Sequence, residues 1–230
     1  MRIKLGTASW GEDFPKGYGH TSLAYLRRCP EFERAKSGDA IAAFSVVQKC
    51  VKQSRINEMV EKHPDSTLLP ILGRNALPLA LAQAIGLPIW KNVFIFSPIP
   101  RKNMMAIQRL IHKPFFWGNI QPGKKYILVD DVITQGGTIA ALREYVLSQG
   151  GKVVAVVALA FSIGSHYIAP TRDILFNLLF KFGYSIYHLQ RMGIIGSFEA
   201  LTYSQIRYLL KFSSVRNIFK KIGLFLKNCG

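Results

Sequence analysis

Between Gly38 and Lys62 apolar residues recur mostly at three- and four-residue steps, at Ile41, Phe44, Val47 and Val51 and then at Ile56, Met59 and Val60, which predicts a packing helix. The pattern then changes. STLLPI (66–71) is a short apolar run that predicts a strand, LGRN a loop, ALPLALAQAIG (76–86) a helix and NVFIF (92–96) another strand. YILVDD (126–131) and KVVAVVALAF (152–161) are continuous apolar runs of the kind found in strands buried on both faces. Between them IAALREYVLSQGG predicts a helix stopped by Gly150 and Gly151. Strand, loop and helix in alternation predict an α/β fold with a parallel sheet and helical crossovers. Ser97–Gly123, rich in cations and broken by Pro and Gly, reads as a long loop or hairpin, and beyond Pro170 the period is helical again.

Two hundred and thirty residues, 49% of them hydrophobic, suffice for one domain or one domain with an appendage, and exclude collagen-like and disordered classes. Charge narrows the partners. Thirty Lys and Arg against 13 Asp and Glu give +17, which implies an anion: a phosphate substrate, nucleic acid or an acidic membrane. The last sixty residues are especially basic, with nine Lys/Arg against Asp173 and Glu199. Cys29, Cys50 and Cys229 are scattered and odd in number, which suggests neither a disulfide framework nor a metal knuckle and points to a reducing compartment. Met1–Trp10 lacks an apolar core for a secretory leader, and Thr67–Trp90 carries Pro70, Pro78, Pro88, Arg74 and Asn75, unsuited to a spanning helix. A cytoplasmic location without transmembrane segments is expected.

The candidate chemistry sits after YILV. In an open parallel sheet ligands bind at the carboxyl ends of the strands, so a strand ending in Asp130 and Asp131 delivers two acids to that edge. Thr134, Gln135, Gly136, Gly137 and Thr138 then lead into a helix whose unpaired amides and dipole favour a phosphate. An Asp pair after a strand also serves as an ordinary cap or solvated turn. Here the apolar strand before it and the Thr/Gly turn and helix after it favour a ligand site.

YILVDDVITQGGTIAAL resembles the phosphoribosyl pyrophosphate (PRPP) signature of the type I phosphoribosyltransferase family. LPILGRNALPLALAQAIGLPI resembles that family's first core strand, pyrophosphate loop and helix, and FSPIPRKNMMAIQRLIHKPF its flexible catalytic loop. The resemblance covers roughly residues 67–162. It implies a parallel sheet flanked by helices, a hood from the terminal segments and Mg2+-dependent transfer of the phosphoribosyl group of PRPP to a nitrogenous base. Asp130 and Asp131 would hold the ribose hydroxyls, and Val132, Ile133 and Thr134–Thr138 would bind the 5′-phosphate. Leu72, Gly73, Arg74 and Asn75 would form the pyrophosphate loop, with Arg101 and Lys102 as the basic catalytic pair. Gln135 stands where many members have a second Thr, and no second lysine follows Lys102 closely, which leaves Arg109, His112 and Lys113 as further candidates.

The expected organisation is a helical N-terminal segment and hood (1–66), the phosphoribosyltransferase core (67–170) and a basic helical C-terminal extension (171–230). Phe161, Ser162, Tyr167 and the aromatics of Tyr18–Phe32 are candidates for the base pocket, and a homodimer is expected. Val215, Ile218, Phe219, Ile222, Phe225 and Leu226 share a helix face, so the C-terminal helix is expected to pack on its own domain, with Arg216, Lys220 and Lys227 elsewhere. The rival to an enzyme is a PRPP- or nucleotide-sensing regulator of the same fold that grips nucleic acid, or an anionic surface, through that basic extension.

Overall fold

A computed structural model describes residues 9–11, 14–97, 104–162 and 166–227. In chain order the elements are β1 (Tyr18–Ser22), α1 (Leu23–Arg28), α2 (Phe32–Lys36), α3 (Ala40–Cys50), α4 (Gln53–Lys62), β2 (Thr67–Pro70), α5 (Leu77–Ile85) and β3 (Val93–Phe96). There follow α6 (Ala106–Ile111), β4 (Phe115–Gly118), β5 (Lys125–Ile133), α7 (Gly137–Ser148) and β6 (Lys152–Phe161). The chain continues with α8 (Arg172–Phe182), a 3-10 turn (Gly183–Ile186), α9 (Tyr187–Arg191), α10 (Tyr203–Leu209) and α11 (Val215–Lys227).

Four strands form a parallel sheet in the order β1-β6-β5-β2, with the two longest apolar runs in the middle. Those runs have to be central, because helices cover both faces of the sheet. Val46 and Val47 of α3 and Leu77 and Leu81 of α5 pack with Ile127, Val129 and Val157 on one face. On the other, Ile139, Leu142 and Val146 of α7 pack with Tyr126, Leu128 and Val156. The expected parallel α/β sheet flanked by helices is present, and no helix among the described residues is long and apolar enough to cross a membrane.

Four local expectations are corrected. The helix anticipated from Gly38 to Lys62 is two helices, broken where the Lys52 amide turns aside to donate to His20 Nδ1 at 3.2 Å. Its buried face is Ala42, Ala43, Val46, Val47 and Cys50, while Ile41 and Phe44 face outward. NVFIF does not join the parallel sheet as a full strand. It pairs antiparallel with β4, Phe94 opposite Trp117 and Phe96 opposite Phe115, and among the described residues its backbone meets the main sheet's continuation at an isolated Leu72–Phe94 bridge while Val93 packs into the core beneath the sheet. Within 97–123, α6 buries Ile107 and Leu110, so that stretch is not one continuous loop. Finally, β5 does not end at its acids: pairing with β6 runs on to Ile133 opposite Phe161, because Val132 and Ile133 continue the apolar ladder.

The C-terminal helices build a cluster of their own around Ile174, Leu178, Ile206, Ile218 and Ile222, and α6 contributes Ile107 and Leu110 to it. Val215, Ile218 and Ile222 of α11 are buried there, as the apolar spacing anticipates, and Arg216 and Lys220 are exposed. Scattered in sequence, Cys29 and Cys50 meet in the core as free thiols with sulfurs 3.9 Å apart.

Burial, reinforced by the nearby charges of Arg55 and Lys52, pushes the His20 imidazole down to about 4. The ring is therefore neutral in the fold but protonates near 6.5 once unfolded. Stability from this group is complete above about pH 6.5 and is lost as pH falls towards 4, up to about 3 kcal/mol. Urea unfolding of the native protein should lose about that much more than His20→Gln between about pH 7.5 and pH 4. Parallel pH profiles for the two proteins would exclude the assignment.

Candidate active site

The carboxyl ends of β2 and β5 lie side by side, Pro70 opposite Val129, and the Ile71 amide donates to the Val129 carbonyl at 3.0 Å. The two segments that follow, 72–75 and 134–136, therefore open on the same edge. Between them is a cleft of about 500 Å³ lined by Gly73, Arg74 and Asn75, by Asp130 and Asp131, and by every residue from Val132 to Ile139. Arg27 from α1, Glu33 and Lys36 from α2, and Arg109 from α6 complete its charged rim.

Asp131 is only 7% exposed, and its Oδ2 has no hydrogen-bond partner among the described residues; Lys36 Nζ stands 4.0 Å away. Asp130 Oδ1 accepts from the Asp131 amide at 2.8 Å, which fixes the first carboxylate against the backbone of the second. A buried carboxylate oxygen left unpaired costs free energy unless something with positive charge or a donor reaches it. The cleft supplies the room.

The turn after β5 is held from three directions. Ser162 Oγ donates to the Thr134 carbonyl at 3.1 Å, the Thr202 hydroxyl donates to the Gln135 carbonyl, and Arg109 reaches Thr134 Oγ1 at 3.4 Å. Gly136 has φ +71°, a conformation that a side chain resists, and a Cβ there would stand 2.9 Å from Thr202 Cγ2. It caps α7 with no side-chain hydrogen bond, leaving the first amides of a twelve-residue helix open to an anion. On the facing loop, Asn75 Oδ1 accepts from the Leu77 amide at 3.1 Å and Arg74 Nε donates to the Ser37 carbonyl at 3.3 Å. Gly73 is needed because a Cβ would come within 2.9 Å of Ile95 on the hairpin.

Of the residues singled out in the sequence, Gly73, Arg74, Asn75 and Asp130–Thr138 line this one cleft. Leu72 does not; it pairs with Phe94 instead. Arg101 and Lys102 lie outside the described residues. Arg109 is in the cleft, with its Nε buried and without a partner among the described residues. His112 and Lys113 are not among the lining residues, and burial pushes the Lys113 ammonium below its ordinary value against the opposing pull of Glu144. Among the aromatics proposed for a base pocket only Phe32 reaches this cleft; Tyr18 and Phe161 line a second groove, and Tyr167 a third hollow. Sequence reasoning missed Arg27, Lys36 and Thr202. The first two sit on short helices far up the chain, and Thr202 arrives from 67 residues beyond its partner, so local pattern carried no signal for any of them.

The site thus belongs to a parallel α/β sheet with a polar, two-signed cleft across the carboxyl ends of adjacent strands. No family model matches the chain. Over 150 residues it is 35% identical to protein TraN of Escherichia coli, covering 60% of this chain and 33% of that protein. It is also 26% identical over 150 residues to an uncharacterized protein of Haemophilus influenzae, covering 60% and 34% respectively. The chain spans about a third of the length of the curated relatives it matches. A similar solved structure is adenine phosphoribosyltransferase from Saccharomyces cerevisiae, at 21% identity and a TM-score of 0.35, covering 48% of this chain and 69% of that one.

Gly136→Ala combines a positive φ with a close approach to Thr202, so it should cost about 1–2 kcal/mol in urea unfolding. A change within the roughly 0.5 kcal/mol of an ordinary surface substitution would mean that the turn is not held as described.

Proposed function

We propose that the protein is a phosphoribosyltransferase that moves the 5-phosphoribosyl group of PRPP to a nitrogenous, nucleobase-like acceptor, releasing pyrophosphate and inverting C1. The observation that carries this reading is the meeting of three parts in one cleft: the Asp130–Asp131 pair, the open start of α7 after Thr134–Gly136, and the Gly73-Arg74-Asn75 loop. Each part suits a different piece of one substrate.

The amides and hydroxyls of Thr134–Thr138 bind the 5′-phosphate, because the glycines admit close backbone approach and the helix dipole favours the charge. Asp130 and Asp131 accept from the ribose hydroxyls and favour the positive charge that develops on the ring as the C1–O bond breaks. Arg74 faces the departing pyrophosphate, Arg101 and Lys102 are assigned the same role from outside the described residues, and Arg109, 3.4 Å from Thr134 Oγ1, adds its charge beside the 5′-phosphate turn. Exclusion of water from the cleft favours transfer, because water otherwise competes with the base for the activated sugar.

The residues present fit Mg2+. Asp131 Oδ2 is a buried oxygen with no hydrogen bond among the described residues, and a hard cation prefers such donors. Among those residues no group of three or more His, Cys, Asp or Glu could hold a metal alone, so further ligands would come from substrate oxygens. When bound, the ion supplies neutralisation of the pyrophosphate and a template for the ribose hydroxyls.

A second reading, a nucleotide-sensing regulator that binds nucleic acid, is supported by Arg216, Lys220 and Lys221, which stay exposed on α11 while its apolar face is buried. Binding of that kind weakens steeply with salt. Small-ligand binding in the cleft would weaken far less.

Pyrophosphate release with PRPP, Mg2+ and a panel of bases tests the enzyme reading. Asp130→Asn and Asp131→Asn should each lower kcat/KM roughly ten- to a hundredfold with the fold retained, since a charged hydrogen bond contributes about 1.5–3 kcal/mol. Native turnover in the folded double variant would refute it.

A further inference from the structure

We propose that the groove beside edge strand β1 is a second anion site, taking the phosphate group of a small molecule at a place separate from the Asp131 cleft. The groove has a volume of about 550 Å³ and shares no lining residue with that cleft. Four cations line it, Lys16, Lys52, Arg55 and Lys62, against one acid, Glu58. Glu58 is divided between two of them, accepting from Arg55 at 2.8 Å and from Lys62 at 3.0 Å. Lys16 and Lys52 form no ion pair among the described residues.

Two further features point to an anion. The α4 helix begins at this groove with Lys52 as its N-cap, no side-chain cap and no acid in its first turn. Cations at the positive end of a helix are electrostatically misplaced, and an anion there relieves both the dipole and the charges. The second feature is His20, which lines the groove and is 1% exposed. Its Nδ1 accepts the Lys52 amide proton, so the neutral ring carries its own proton on Nε2. That buried donor has no acceptor among the described residues. An unpaired buried donor, an uncapped helix start and surplus cations share one missing complement, an oxyanion.

The groove also borders the strand end that leads to the turn after β5. The Phe161 ring lies under β1, where a Cβ on Gly19 would meet it at 3.0 Å. Phe161 pairs with Ile133 across the ladder, and its neighbour Ser162 holds the Thr134 carbonyl. Phe161 thus adjoins both the groove and the residue that holds the turn proposed to bind the 5′-phosphate.

The test uses the full chain labelled with 15N-histidine, titrated with inorganic phosphate and, in a second arm, with adenosine 5′-monophosphate. The site predicts a saturable shift of the His20 Nε2–H signal, with the arm of higher affinity telling a free phosphate from a phosphoester. Lys52→Gln combined with Arg55→Gln should weaken that affinity at least about tenfold, and Glu58→Gln should tighten it by releasing Arg55 and Lys62. Asp131→Asn should leave it unchanged, which separates the outcome from the fate of the catalytic reading. Absence of saturation in both arms, equal affinity in the Lys52/Arg55 variant, or loss of the shift in Asp131→Asn would overturn the proposal.

Discussion

Three side chains from three parts of the molecule converge on two successive residues: Ser162 and Arg109 on Thr134, and Thr202 on Gln135. Without those bonds a glycine-containing turn would sample many conformations, and the cost of ordering it would fall on each ligand that bound. Because the carbonyls of the turn are tied outward, its following amides at the start of α7 are left facing the cleft. The same bonds make the C-terminal residues part of the site. Thr202 opens α10 through a capping box with Gln205, so the element that anchors the turn is itself anchored.

Charge is arranged around this fixed point. Arg27, Lys36, Arg74 and Arg109 surround three acids in the cleft, so a polyanion finds compensation while its hydroxyls find acceptors. A cleft of both signs differs from the β1 groove, where cations outnumber acids four to one. Net charge alone, at +17, does not distinguish these environments, since charges farther apart than about 8 Å are largely screened at physiological salt. Only the local geometry does.

The elements most legible in the sequence are those whose burial is uniform. β5 and β6 are buried along most of their length and read as unbroken apolar runs, and α5 and α7 are bounded by Gly86 and by Gly136 and Gly150. The split between α3 and α4 was hidden because it depends on a hydrogen bond from Lys52 to His20, 32 residues away. NVFIF has the composition of a strand, yet composition does not name a partner, and the hairpin with β4 depends on Gly118, where a side chain would collide with the Asn92 carbonyl. The acids and the Thr/Gly turn were readable as one local string; Arg27, Lys36 and Thr202 enter only through tertiary packing.

The proposed function places PRPP in the cleft with its 5′-phosphate on the turn after β5. Amide hydrogen exchange, resolved by residue and compared with and without PRPP and Mg2+, reads this directly. Slowed exchange is expected at Gly136, Gly137 and Thr138 and around Gly73–Asn75, with the interior of α8 unchanged. Unaltered exchange at both loops under saturating PRPP would contradict it.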